Sequence, residues 1–156
     1  MAPITGLLFC YRRPSLSPSQ FRTYIEETHV PLVKSLLGAN HPATHTRYFT
    51  NKDSGFMVGA ASSEDPDLIA VMTFESEEAM KRSMQARRAD GTREIIEADE
   101  DKFMDRSKVK VVVLGEGDVG RTERDGADDL DELADSVRVL VEEQKRGRAE
   151  QAEMRV

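Results

Sequence analysis

Residues 17–37, SPSQFRTYIEETHVPLVKSLL, decide the fold because they state where a helix begins, which face it buries and where a reactive side chain lies. Ser17 can cap the first amide groups, Pro18 suits the first helical position, and Gln20 completes a capping box, with Leu16 and Phe21 spaced as a hydrophobic staple. Phe21, Tyr24, Ile25, Thr28, Leu32 and Leu36 then recur at helical spacing and form one stripe facing a core. His29 lies at the edge of that stripe. Two residues later Pro31 removes an amide donor and crowds the carbonyl of Glu27, so the helix should kink or loosen where His29 projects. A histidine on such a border can simply be packed there. It is also the sharpest chemical feature of the chain.

Working outward, residues 4–12, ITGLLFCYR, read as a strand with Leu7, Phe9 and Tyr11 on one face and Leu8, Cys10 and Arg12 on the other. Gly38 should end the helix, and THTRYFT makes a second strand with Thr44, Thr46 and Tyr48 on one side and His45, Arg47 and Phe49 on the other. Residues 51–67 form a long loop in which Phe56, Met57 and Val58 are stranded apolar groups suited to covering something. LIAVMTFE is a third strand. Ser76, Glu77 and Glu78 open a helix through about Arg88, and a further helical segment runs from about Thr92 to Arg106, its acidic run 97–101 read as a solvated face. KVKVVVL, residues 108–114, closes the core.

The order strand, helix, strand, strand, helix, strand predicts an α+β, ferredoxin-like βαββαβ fold with a four-stranded antiparallel sheet. GLLFCY, LIAVMTF and VVVL are nearly continuous apolar runs, whereas a sheet with one wet face should alternate. Helices cover only one face, so the expectation is a homodimer with sheets packed face to face, a dimeric α+β barrel. The alternative is a monomer whose tail folds back over the open face.

Residues 1–114 are therefore read as the barrel domain and 115–156 as an acidic C-terminal extension. The first part holds 15 basic and 16 acidic side chains and the second 7 and 13, so most of the net charge of −7 lies in the extension. That balance argues against nucleic acid and anionic membranes as partners. No apolar run reaches the roughly 18 residues of a membrane span, and the first residues lack a basic flank, so the expectation is a soluble, cytoplasmic protein. GEGDVG, residues 115–120, matches a dinucleotide-binding pattern but lacks the apolar helix and the second parallel strand that such a site needs. Leu130, Leu133, Val137 and Leu140 give a helix from Asp128 to about Arg146 with a docking stripe, and the last ten residues are expected to be disordered.

No paired cysteines occur, and His41 and His45 flank Pro42 at a loop-to-strand junction instead of sharing a helix face, so no metal site is expected. Cys10, inside a strand, lacks an activating base. Acid–base chemistry remains, centred on His29 with His45. Tyr11, Phe21, Tyr24, Ile25, Arg47, Tyr48, Phe56 and Met72 are the expected lining of a pocket between kinked helix and sheet, with Arg47, Tyr48 or His45 holding a carboxylate or carbonyl oxygen. No cofactor is expected.

The early strand, FRTYIEETHVPLVK with its H-x-P, EDPDLIAVMTFESEEAM and ADEDKFMDRSKVKVVV together resemble the EthD-like branch of dimeric α+β barrel proteins over residues 4–114. The resemblance implies the same fold and enzymes of aromatic polyketide pathways, including decarboxylases of anthraquinone-precursor carboxylic acids, cyclases, dehydratases and cofactor-free oxygenases. It maps the histidine of the H-x-P segment onto His29. The resulting expectation is a cofactor-independent lyase, a decarboxylase or dehydratase, acting on a small aromatic polyketide acid. The alternatives are an oxygenase or cyclase on a similar substrate, and a non-catalytic barrel that binds a small hydrophobic molecule.

Overall fold

The central strand is β1 (Ile4–Cys10), which pairs antiparallel with β3 (Leu68–Phe74) on one side and β4 (Lys110–Leu114) on the other, while β2 (Thr44–Phe49) flanks β3. The computed structural model describes residues 2–50, 52, 58–122 and 130–154, the side chains of 130–134 excepted. Sheet order β2-β3-β1-β4, joined as βαββαβ, is the ferredoxin-like α+β arrangement. The chain divides into two compact units, Met1–Val119 and Gly120–Val156.

The first helical segment starts as its residues dictate. The Ser17 hydroxyl accepts the Gln20 amide (3.1 Å), the Gln20 side chain accepts the Ser17 amide (2.9 Å), and Pro18 opens α1 (Pro18–Tyr24). Ile25–His29 then forms a single π-helical turn, in which the Val30 amide reaches back five residues to the Ile25 carbonyl. Pro31, with no amide to give, follows in α2 (Val30–Leu37), which ends at Gly38 with φ of 52°. The loosening expected at Pro31 is thus a wider turn.

Alternation along the strands assigns the two faces. Cys10 and Leu68 pack with Phe21, Ile25, Phe103 and Met104 under the helices. Burial of a phenylalanine such as Phe21 or Phe103 contributes about 2–3 kcal/mol to holding the layers together. Phe21 also meets Phe49 edge-on, with centroids 6.2 Å apart. On the opposite face Leu7, Phe9, Ile69 and Val71 are only half-buried, while Tyr48 and Val112 are exposed. The unbroken apolar runs therefore supply a second, uncovered apolar surface.

Helices α3 (Glu77–Arg88) and α4 (Thr92–Glu100) complete the layer. The segment expected to stay helical to Arg106 stops at Glu100, because Phe103 and Met104 turn into the core and the chain pairs there with the continuation of β1. The Arg13 amide donates to the Phe103 carbonyl at 2.9 Å and the Asp105 amide to the Tyr11 carbonyl at 2.8 Å. In the long loop Val58 is exposed, and Phe56 and Met57 lie outside the described residues. The second unit contains α5 (Leu130–Glu153), longer than expected. Its last turns, GRAEQAE, carry alanines and straight-chain residues that favour helix despite Gly147, so helix occupies much of the stretch expected to be disordered. Among the described residues no helix is long and apolar enough to cross a membrane.

Candidate active site

Two rows of side chains cross the helix-covered face of the sheet. One reads His45, Met72, Gly6, Val113 from β2 to β4, and the next Arg47, Ala70, Leu8, Val111. Gly6 and Ala70 contribute almost no bulk to the middle of these rows, which leaves room above the sheet. A cavity of about 740 Å³ occupies that space, with Ile25, His29, His45, Arg47 and Met72 in its wall. Its lining is mostly apolar, with a few polar groups converging, as small-molecule sites require.

His29 is the last residue of the π-helical turn, and its ring is nearly buried. Nδ1 lies 2.8 Å from Asp99 Oδ2, and the ring packs on Phe103 at 4.7 Å between centroids. Asp99 is buried at 4% exposure and also accepts the Tyr24 hydroxyl on Oδ1, with Lys102 Nζ 3.7 Å away. Burial pushes the pKa of His29 below the ordinary value, against the opposing pull of the Asp99 hydrogen bond and charge. A neutral imidazole that donates Nδ1–H to a carboxylate leaves Nε2 unprotonated, so the ring is set to accept a proton. Burial, followed by the hydrogen bond to Asp99, pushes the Tyr24 phenol up to about 12. Tyr24 therefore acts as a hydrogen-bond donor behind the histidine.

Arg47 is already engaged. Its Nε and Nη2 clasp the two oxygens of Glu26 at 2.6 and 2.9 Å, and Nη1 donates to the His45 carbonyl at 3.0 Å. The fork holds the Glu26 carboxyl below its usual range and ties the π-helical turn to β2. Arg47, expected to hold a substrate carboxylate, thus stands in the cavity wall with its guanidinium shared between Glu26 and the His45 carbonyl. His45 faces the same cavity, and burial, with the positive charges of Arg47 and His41, lowers its pKa to about 4.

The other expected lining residues lie elsewhere. Tyr48 points from the opposite face of the sheet, because strand alternation sends it away from Arg47. Phe21 is core, packed between Phe49 and Phe103. Tyr24 stands behind Asp99 rather than in the wall. Tyr11, past the end of β1, donates its hydroxyl to the Glu64 carbonyl at 3.3 Å. Phe56 lies outside the described residues.

The residue that sequence reasoning missed is Asp99. Together with Glu100 it belongs to the acidic run read as a solvated face, yet both are buried, and Glu100 pairs with Arg87 and approaches Arg106 at 3.5 Å. The signal was there in the spacing. Ile96, Asp99, Glu100 and Phe103 stand at i, i+3, i+4 and i+7, so two acids share the face of two core side chains. Among the described residues no three His, Cys, Asp or Glu side chains are grouped to hold a metal ion.

These groups give stability a pH dependence of definite sign. His29 and His45 titrate lower in the folded chain than in the unfolded one, so the unfolded state binds more protons as pH drops below about 6.5. Stability should be full above that pH and fall toward pH 4, at a cost of no more than about 3 kcal/mol from His45. Glu26, also lowered, should add its loss below 4.5. Urea unfolding at pH 7, 5.5 and 4.5 checks this, and His45→Gln should flatten the slope between the first two.

The sequence profile of the EthD domain matches residues 13–107. Solved structures similar to this chain include an EthD family protein of Bacillus halodurans, at 18% identity and TM-score 0.48, covering 77% of this chain and 99% of that one. An EthD-like protein of Ralstonia eutropha has 19% identity and TM-score 0.48, with 80% and 99% covered. SnoaB of Streptomyces nogalater, a cofactor-independent oxygenase, has 10% identity and TM-score 0.47, with 79% and 97% covered. No curated protein sequence matches the chain. With the profile covering more than half of its length, the chain belongs to the EthD domain family.

Proposed function

We propose that the cavity is the active centre of a cofactor-independent lyase that decarboxylates or dehydrates a small aromatic polyketide carboxylic acid. The observation that carries this reading is His29, held through Nδ1 by buried Asp99 at the wall of a largely apolar chamber. In dehydration, Nε2 takes a proton from the carbon beside a carbonyl, Asp99 steadies the imidazolium, and the same proton leaves with the departing hydroxyl as water. In decarboxylation, loss of CO₂ leaves an enolate, and the imidazolium, charged by a proton that arrives with the acid, returns that proton to carbon. His45, in the same wall, orients the carbonyl oxygen.

The neutral state of His29 favours a second reading. A ring that begins as a base suits an oxygenase or cyclase, which must first deprotonate a phenol or activated carbon. Single-turnover incubation of metal-free protein with a polycyclic aromatic β-keto acid, following CO₂ release and oxygen uptake together, separates the two. CO₂ without oxygen uptake supports the lyase; oxygen uptake moves the assignment to the second reading.

A homodimer belongs to the same proposal. Leu7, Phe9, Ile69, Val71 and Val112 share the uncovered face of the sheet, and a second copy presenting the same surface would bury it. Val71 pairs with both Leu7 and Thr46 near the middle of this face. Val71→Lys should convert dimer to monomer in sedimentation equilibrium, and an unchanged mass would remove the face-to-face arrangement.

A further inference from the structure

Besides Arg47, four arginines line the cavity: Arg87, Arg88, Arg93 and Arg106. Arg87 bonds Glu100, and Arg106 contacts Glu97, Glu100 and Asp101. Among the described residues Arg93 pairs only with its neighbour Glu94, at 3.0 Å and with both side chains about half exposed, an arrangement that holds a guanidinium weakly. The Arg88 side chain makes no hydrogen bond, ion pair or ring contact with any described residue. It is the last residue of α3, where a cation favours the helix dipole, but Arg87 beside it already meets that need. The turn 89–91 and the first residue of α4 separate the two loosely held arginines, and the acidic member of the turn, Asp90, is not part of the cavity wall.

Met84 and Met80 stand one and two turns before Arg88 on the same helix, and the cavity wall adds Met72, Leu8 and Val113 as further apolar surface. An unpaired guanidinium above a methionine-lined chamber selects a ligand with both characters. The geometry points to Arg88, supported by Arg93, as the residue that reads an anionic group on the ligand, so that the cavity takes an amphipathic organic acid with its apolar body against the methionines. This rests on the reading of the cavity as the active centre and names the residue that reads the acid group of its substrate. Arg47, clasped by Glu26, leaves the role to Arg88.

The test compares two probes that share an apolar body and differ in charge, anilinonaphthalene sulfonate and the neutral N-phenylnaphthylamine. Because the chain has no tryptophan, a Met84→Trp reporter in the cavity wall detects probe bound to this domain by energy transfer, and the Arg88 variants locate the anionic probe in the cavity. The anionic probe should bind more tightly, lose about tenfold in affinity with Arg88→Ala and recover with Arg88→Lys, while the neutral probe is unmoved. Raising salt should weaken only the anionic probe. Equal binding of the two probes, or equal losses for both in Arg88→Ala, overturns the inference. Turnover that depends on His29 would survive that result, so failure of the anion site and failure of the active centre are read separately. Absence of energy transfer with either probe would overturn the inference and count against the cavity as a ligand site.

Discussion

His29→Ala is expected to lower turnover by about 10²- to 10⁴-fold, the contribution of a positioned proton-transfer group, while the domain stays folded. The ring contacts Phe103 and Asp99, so its removal opens a small gap and leaves Asp99 with Tyr24 and Lys102 as partners. The stability cost should stay near 1–3 kcal/mol, about what one buried polar group loses with its partner. His29→Asn separates packing from chemistry. Its amide can still donate to Asp99 but cannot take a proton at neutral pH, so it should recover melting temperature without turnover. Recovery of both would make His29 a structural residue.

Asp99→Asn is expected to cost about 10²-fold or more in turnover, although it changes almost no volume. An amide at position 99 can present its NH₂ to His29 Nδ1, which places the ring proton on Nε2, where the substrate needs a lone pair. It also removes the negative charge that steadies the imidazolium, so the His29 pKa falls further and the rising limb of kcat/KM against pH moves to lower pH. A limb that stays in place, or moves up, would show that Asp99 does not govern the charge on His29. Asp99→Ala should damage folding more than Asp99→Asn does. It strands His29 Nδ1 in a nearly buried position and the part-buried Tyr24 hydroxyl beside it, at a cost of about 2–4 kcal/mol measurable by urea unfolding.

The sequence was most legible where local chemistry acts alone. Ser17, Pro18 and Gln20 announce a helix start that needs no tertiary partner, and the βαββαβ order follows from apolar periodicity and turn residues. Pro31 likewise flagged the turn that carries His29. The site was harder because its parts come from distant segments. Asp99 is 70 residues from His29 and Glu26 is 21 from Arg47, and neither pairing leaves a mark in the local pattern. Tyr48 falls among the expected lining residues because a strand seen alone does not say which face meets the helices. The acidic run misled for a related reason. Charge density suggested solvent, whereas helical phase with Ile96 and Phe103 governs where Asp99 and Glu100 point.

The π-helical turn also keeps the two halves of a long helix in phase. A turn closed over five residues holds one residue more than an α-helical turn, and each residue advances the helix by about 100°. Wound at regular pitch, the same residues would carry Val33 and Leu37, which pack with Ile96, round by about that angle from the face of Phe21 and Ile25 and off the core. Deleting a single residue between Ile25 and His29 would remove the surplus and let regular pitch run through with Val33 and Leu37 still facing inward, whereas inserting one more would turn them outward. The stretch is thus tolerant of losing one residue and intolerant of gaining one. In a set of natural variants, the spacing between Phe21 and Leu37 would take this value or one residue less.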